Sequence, residues 1–521
     1  MKNNRIMRLG ISVFIIFLLV SCQEEFLEEN PTIFTTPDQL LVDTKGAEIY
    51  LTGGYDAVQN IISAGGQGKP GMMIHWGAIA TDLTFYPPWG GDRTQIYLQQ
   101  QTPSNVTITR IWRELYVAVN RVNSVVDRIG AMTDKQIDIE DRENFVAQAK
   151  FLRATLYFAL VSAWENVPLI VNEVTSLDNL DVEQASPEEV YNFVIQDLQE
   201  AAAILPAEQG GGRATKGAAQ TLLGKVYLQM TGFPLMQTDK YALAEAVLQE
   251  VIDSGVYSLE PDYTKLFMLD NEQNNEMIYS IGFQGPGAGE GGLFGTYYGP
   301  QGNVNNGGGW STCFAFEEFA DSFDPDDIRL RNNIAKHNAN DVPNPDEALF
   351  NEELWVVNVS NWRGWKWRAS NPNTYPNDTP FDNPYLRYAD VLLMYAEALN
   401  GQGRLTQEVV DVTINRLRDR VRIENPDRPE EEIVPAMILG SKEENNIVIL
   451  DERRKELCFE GWRRNDLIRF GKYEEAVMAI NQVSGNSAGN PGPNYAAFKM
   501  RWPIPEPEIQ LNPKLKQNDG Y

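Results

Sequence analysis

Apolar residues recur at three- and four-residue steps along much of this chain, and that period commits it to helices. Between Asn144 and Ala163, residues Phe145, Ala149, Leu152, Leu156, Ala159, Leu160 and Ala163 share one face, the pattern of an amphipathic helix. Ser186-Pro187-Glu188-Glu189 has the chemistry of a helix start: a capping hydroxyl, proline in the first turn, and carboxylates at the positive end of the dipole. The helix it opens continues through Val190, Val194 and Leu198. Thr215 to Met230 and Tyr241 to Ser254 read as the next two helices, the second closed by Gly255 as a C-cap. Further on, Tyr385 to Asn400 places Tyr385, Tyr388, Leu392, Tyr395 and Leu399 on one face, and Gly401 and Gly403 break it. Thr406 to Arg422 reads as the returning helix, followed by Glu443 to Phe459 and Lys472 to Ile480. The predicted fold class is mainly α.

Leu223-Gly224-Lys225-Val226-Tyr227 matches the Leu-Gly-x-x-Tyr part of a tetratricopeptide first helix, where the glycine lets a neighbouring helix approach closely. Such helix pairs are degenerate and far apart here, which predicts a helical scaffold with long insertions and not a regular solenoid. The insertions differ in composition. From Gly282 to Gly309 there are 12 glycines in 28 residues, with Phe294, Tyr297 and Tyr298 among them and Trp310 just beyond. Asn371 to Pro384 is proline-rich, Trp355, Trp362, Trp365 and Trp367 lie close together, and Pro87-Pro88-Trp89-Gly90-Gly91 is an aromatic turn. Loops this long within a compact fold are usually functional. Trp365 and Trp367 alternate in a strand-like run, and at least one is expected to pack inward. The candidate ligand-binding residues are Trp89, Tyr297, Tyr298 and Trp310, with Trp362 and Arg363 as further members. Flat rings on loops suit ligands that present C–H patches between hydroxyls, as sugar rings do, and neighbouring Asn, Asp and Arg would add hydrogen bonds.

Charge narrows the partners. The 521 residues carry 44 Lys+Arg against 72 Asp+Glu, a formal net charge of −28, which removes the electrostatic attraction that drives nucleic-acid binding. It also argues against polyanionic glycans. The imidazoles are His75 and His337 alone, so a His-rich zinc site is nearly excluded. No nucleophile elbow, zinc motif or P-loop is present, and neither metal nor cofactor is expected. Cys313 and Cys458 read as buried thiols and not as a pair.

At the N-terminus, Lys2, Arg5 and Arg8 precede the uncharged stretch Leu9 to Val20. Twelve residues are too few for a helix across ~30 Å of hydrocarbon, so the stretch reads as a secretory core. It runs into Leu19-Val20-Ser21-Cys22, which resembles a bacterial lipobox, with Cys22 as the lipidated residue. The acidic run Gln23-Glu24-Glu25 directly after it resembles the surface-export signal of Bacteroidetes-type lipoproteins. The expected organisation is a signal peptide over 1–21, a lipidated flexible tether over 22–36, and one domain over 37–521 with loop-rich insertions around 60–105 and 282–384.

Tyr385-Leu386-Arg387-Tyr388-Ala389-Asp390-Val391-Leu392-Leu393-Met394-Tyr395-Ala396-Glu397-Ala398 resembles the hallmark helix of the SusD/RagB family of Bacteroidetes nutrient-uptake lipoproteins. Asp451 to Gly471, with Glu460-Gly461-Trp462-Arg463-Arg464-Asn465-Asp466 at its centre, is similar to a second family block. The ending Trp502-Pro503-Ile504-Pro505, then Asn512-Pro513 and Asn518-Asp519-Gly520-Tyr521, resembles the terminal signature. Leu152-Arg153-Ala154 with Val167-Pro168-Leu169, and Thr215-Lys216-Gly217-Ala218-Ala219, fit as well. The resemblance implies a SusD-like fold of four tetratricopeptide-like helix pairs and a more irregular ligand-binding portion. It implies an outer-membrane lipoprotein, anchored in membrane lipid, that captures an oligosaccharide and passes it to a SusC-like TonB-dependent transporter. Arg387, Glu397, Glu452, Arg453, Glu460, Arg463 and Asp466 are expected to pair as buried or half-buried ions that hold helices in register. A protein-binding scaffold or adhesin, and a secreted glycoside hydrolase, are the alternative readings.

Overall fold

Ser186 caps its helix as its chemistry predicts: its hydroxyl accepts from the Glu189 amide at 3.3 Å, and the Glu189 carboxylate accepts from the Ser186 amide at 2.8 Å. Thr215 caps the next helix through the Ala218 amide, at 3.2 Å, and Ser441 and Glu444 form a second reciprocal box. The computed structural model describes residues 36–64, 71–85, 91–176, 181–284, 291–299, 312–336, 362–367, 379–480 and 489–521. Within them the main helices are α1 Thr44–Val58, α2 Val106–Gly130, α3 Ile139–Trp164, α4 Pro187–Ile204, α5 Lys216–Thr231, α6 Lys240–Asp253, α7 Tyr388–Gly401, α8 Lys442–Glu456, α9 Arg463–Arg469 and α10 Tyr473–Ala479.

Each long helix packs on the next, from α1 through α8, and α1 also touches α3. The array explains why α5 is buried on every side from Gly217 to Thr231: α4, α6, α7 and α9 surround it. Gly224 lets α6 come close, since a β-carbon there would lie 2.7 Å from the Leu248 side chain. Gly401 does the same for α7, where a β-carbon would meet the Tyr241 ring at 2.5 Å.

Two expected helices differ. Tyr385 belongs to a strand, because Asn383–Arg387 (β8) pairs antiparallel with Met277–Ile281 (β4), and α7 starts only at Tyr388. The stretch after Thr406 contains Gln407–Val410, a widened turn over Asp411–Asn415, and Arg416–Asp419. The widened turn presents Asn415 to Met437, whose amide donates to Asn415 Oδ1 at 2.6 Å and whose carbonyl accepts from its Nδ2 at 3.1 Å. The helix stops before Arg422 because the backbone there bonds elsewhere: Val421 O accepts from Ile328, and Ile423 N donates to Asp326 O, each at 2.8 Å.

Short strands complete the described fold. Thr84–Phe85 (β1), Phe314–Ala315 (β5), Ile334–Ala335 (β6) and Trp362–Gly364 (β7) form a four-stranded antiparallel sheet in the order β1-β5-β7-β6. Val167–Pro168 (β2) pairs with Gln184–Ala185 (β3). Trp365 and Trp367, just past the end of β7 at Gly364, are both fully buried, so both pack inward.

Candidate functional site

The insertions meet at the four-stranded sheet. Phe85, where β1 ends, pairs with Phe314, where β5 begins. Trp89 follows Phe85 by a few residues and Trp310 precedes Phe314 by as many, so the chain segments that carry both tryptophans join the sheet at one paired position. Trp89 and Trp310 themselves lie outside the described residues, as does Cys22. Trp362 and Arg363 lie on β7, with Trp362 opposite Ala315 and Arg363 between Phe314 and Ala335. Tyr297 and Tyr298 come from the short helix Phe294–Tyr298. They join the same wall: Cys313 N donates to Tyr297 O at 3.1 Å, and a β-carbon at Gly364 would sit 1.8 Å from Tyr298 O.

Tyr297, Tyr298, Trp362 and Arg363 are therefore brought together, and all four are buried, at 2%, 0%, 9% and 8% exposure. Their rings meet protein neighbours. Tyr298 packs on Phe294 and Phe459 at 5.5 and 5.4 Å, and Tyr297 meets the edge of His75 at 6.0 Å. Arg93 lies over Tyr297 at 5.6 Å, Lys336 over Trp362 at 4.9 Å, and Arg363 over Phe314 at 4.8 Å. These four side chains brace the wall. Sequence reasoning missed Arg93, Lys336 and Phe314, for which no local pattern exists: Arg93 reaches Tyr297 from the other insertion, and Lys336 and Phe314 meet β7 from distant parts of the same one.

A buried ionic frame roots this wall in the helical array. Lys366, just past β7, donates to Glu460 Oε1 at 2.5 Å and to Cys458 O at 3.0 Å. Arg387 reaches Glu276 at 2.7 Å and Glu456 and Glu460 at 2.8 Å. Arg329 reaches Asp327, Glu452 and Glu456 at 2.7, 2.6 and 3.1 Å. A second cluster joins Arg453 to Asp390 and Asp466, Lys225 to Asp390, and Arg469 to Glu397 and Asp466. Arg463 pairs with Asp82 at 2.7 Å. Burial alone would raise the Glu456 pKa, but Arg420, Arg387 and Arg329 hold it well below the usual carboxylate range. Glu452 and Asp466 are depressed for the same reason, against the same burial. The family-motif ions are thus structural, as expected. Glu276, Asp327, Arg329 and Lys366, which complete the frame, lie outside the quoted motifs.

One carboxyl pair has a different character. Glu272 accepts from the Asp382 amide at 2.7 Å, while Asp382 accepts from Phe283 N at 2.8 Å and from Gln273 Nε2 at 3.0 Å. The pair ties the ends of β4 and β8 where the glycine-rich and proline-rich insertions begin and end. Burial, then the neighbouring Asp382, pushes Glu272 up to about 8. Cys313 and Cys458 are buried and unpaired, and burial pushes the Cys458 thiol up to about 11. Among the described residues no cluster of His, Cys, Asp and Glu is arranged to hold a metal ion. Among the same residues no helix is long and apolar enough to cross a membrane.

A sequence model of the SusD family matches residues 360–521, and a second, described as starch-binding and associating with the outer membrane, matches residues 77–228. The starch-binding protein SusD of Bacteroides thetaiotaomicron is 27% identical over an alignment that covers 81% of this chain and 80% of that protein. The crystal structure of a SusD homolog from Bacteroides thetaiotaomicron superposes with a TM-score of 0.77 at 24% identity, covering 93% of this chain and 98% of the other. A laminarin-binding SusD-like protein superposes with a TM-score of 0.70 at 26% identity, covering 91% and 99%.

Proposed function

The chain belongs to the SusD/RagB family, and from that membership we propose that it captures an oligosaccharide at the outer membrane and delivers it to a SusC-like TonB-dependent transporter. The observation that supports the ligand side of this reading is the Phe85–Phe314 pairing, since Trp89 and Trp310 each lie four residues from it along the chain. Stacking of sugar C–H faces on Trp89 and Trp310 supplies the apolar contact, over a wall stiffened by Tyr297, Tyr298, Trp362 and Arg363. Relatives that bind starch and laminarin support a neutral glucan or similar glycan as the ligand class. The steps are binding and hand-over, and no bond is broken. Cys22 carries the lipid that holds the protein at the membrane, with the acidic run behind it directing it to the cell surface.

A glycan array followed by isothermal titration of the purified protein tests the reading. Trp310→Ala and Trp89→Ala should each weaken the captured glycan by about 1–3 kcal/mol, and the double variant by more. Unchanged affinity in all three would remove these rings from the site. Release of shortened sugars during the titration would favour the hydrolase reading instead.

A further inference from the structure

We propose that the cavity between the glycine turn at 209–212, the start of α5 and strand β4 is a second saccharide subsite, which seats one or two neutral sugar rings against Tyr257. The inference rests on the glycan reading above and adds a place apart from the four-stranded sheet. The cavity measures about 260 Å³, just under the ~300–1,000 Å³ of pockets that enclose drug-sized ligands. It is therefore sized for a short length of chain.

Tyr257 is held in place before any ligand arrives. Its hydroxyl lies 3.0 Å from Thr215 Oγ1. The ring rests on α5 where residue 217 is glycine, and a β-carbon there would come within 2.5 Å of Tyr257 Cε2. The ring is only half-buried. A fixed aromatic plane costs no ordering when a sugar stacks on it, which is the benefit of preorganisation. Across the cavity, Gly211 and Gly212 adopt φ of +72° and +67°, and nothing lies within 4 Å of where their β-carbons would be.

The polar lining divides into two sets. Arg213 is partly engaged, since its Nη2 donates to Thr52 Oγ1 at 2.8 Å and its guanidinium lies over the Tyr55 ring at 4.6 Å, while its buried Nη1 has no hydrogen-bond partner among the described residues. Asn274 donates to the Leu266 and Asn271 carbonyls at 3.2 and 2.7 Å, and Gln273 donates to Asp382. Glu208, Asn275 and Ser280 also line the cavity, and their side chains make no hydrogen bond among the described residues. They supply acceptor, amide and hydroxyl groups of the kinds that sugar hydroxyls exchange hydrogen bonds with. The Glu208 carboxylate in the lining, together with the chain's net charge of −28, favours a neutral sugar over an acidic one. Strand β4 then runs from this cavity toward the glycine-rich insertion, so one extended glycan could contact both places.

Isothermal titration of the full chain with maltohexaose and with laminarihexaose tests the subsite. The expected record is two sites per chain for at least one probe, with Tyr257→Ala reducing it to one and Tyr257→Phe keeping both. Asn275→Ala, at an exposed position, should weaken the second site about threefold and guards against a folding defect in Tyr257→Ala. A single site that Trp310→Ala abolishes, and that Tyr257→Ala and Asn275→Ala leave unaltered, overturns the subsite and spares the first reading. Absence of binding by both probes overturns the subsite, and a blank glycan array overturns the first reading with it.

Discussion

Arg387 is fully buried with Glu276, Glu456 and Glu460 around it, so its removal leaves carboxylates without their counter-charge in a dry interior. Arg387→Met should therefore destabilise the protein by about 3–5 kcal/mol, the cost of breaking one side of a buried pair, read as a lower urea midpoint. Glu508→Ala, which breaks the half-exposed pair with Arg113, should move it by about 1 kcal/mol or less. The same frame fixes the acid response. Glu452, Glu456 and Asp466 are depressed by their cations, so their stabilisation is present above the ordinary carboxylate range and is lost as pH falls through the depressed values. Glu272 has the opposite sign. Its folded pKa, near 8, exceeds the unfolded one, so the native state binds the extra proton between about 4.5 and 8 and loses stability as pH rises. Glu272→Gln should match the wild type at pH 5 and melt at a higher temperature than it at pH 8.5. A constant difference across that range would show that Glu272 does not titrate in this window.

Helix pairs depend on where glycine stands. At Gly224 a β-carbon would meet the flexible tip of Leu248, so Gly224→Ala should cost about 1–3 kcal/mol as an overpacked contact. At Gly77 the β-carbon would lie 1.9 Å from the Gly461 carbonyl oxygen, where backbone meets backbone and nothing can yield. Gly77→Ala should then be the more damaging of the two, by thermal melting of the purified variants. Elements of this kind were legible in the sequence because helix period and caps are local: Ser186, Thr215 and Gly224 act as their residue types predict. The strands were not. β1 and β5 are two residues long, too short to show alternation, and exist only because remote segments pair. Tyr385 misled for a related reason, since a buried strand that runs straight into a buried helix prolongs the apolar face past its true start.

At the scale of the molecule, composition marked the insertions but not their geometry: clustered glycine and tryptophan picked them out, while burial of Tyr297 and Tyr298 also follows from His75 and Phe459, which no local pattern connects to them. The partner surface follows from what the helical side leaves uncovered. On the proposed reading the chain, held by its lipid, hands its ligand to a membrane transporter, and that transporter needs a broad face to hold it. Val412, Ile438, Ile447 and Met478 are 61%, 77%, 62% and 45% exposed, and Ile447 lines a groove with Leu450, Leu467, Phe470 and Ala479, the kind of apolar surface that a partner protein covers. A stable lid over a barrel should bury more than ~2,000 Å², as permanent assemblies do, with the segment from Gln23 to about Thr36 as the tether on which it swings. Cys22→Ser should release the protein from the membrane, because lipid is the only anchor proposed. Ile438→Asp combined with Ile447→Asp should keep the lipid and the glycan affinity but lose the barrel protein on purification of the tagged chain from outer membrane in mild detergent. If the wild-type chain repeatedly elutes without a stoichiometric barrel protein, the lid reading fails and the adhesin reading takes its place. If the double variant retains the barrel as the wild type does, the interface lies on another face.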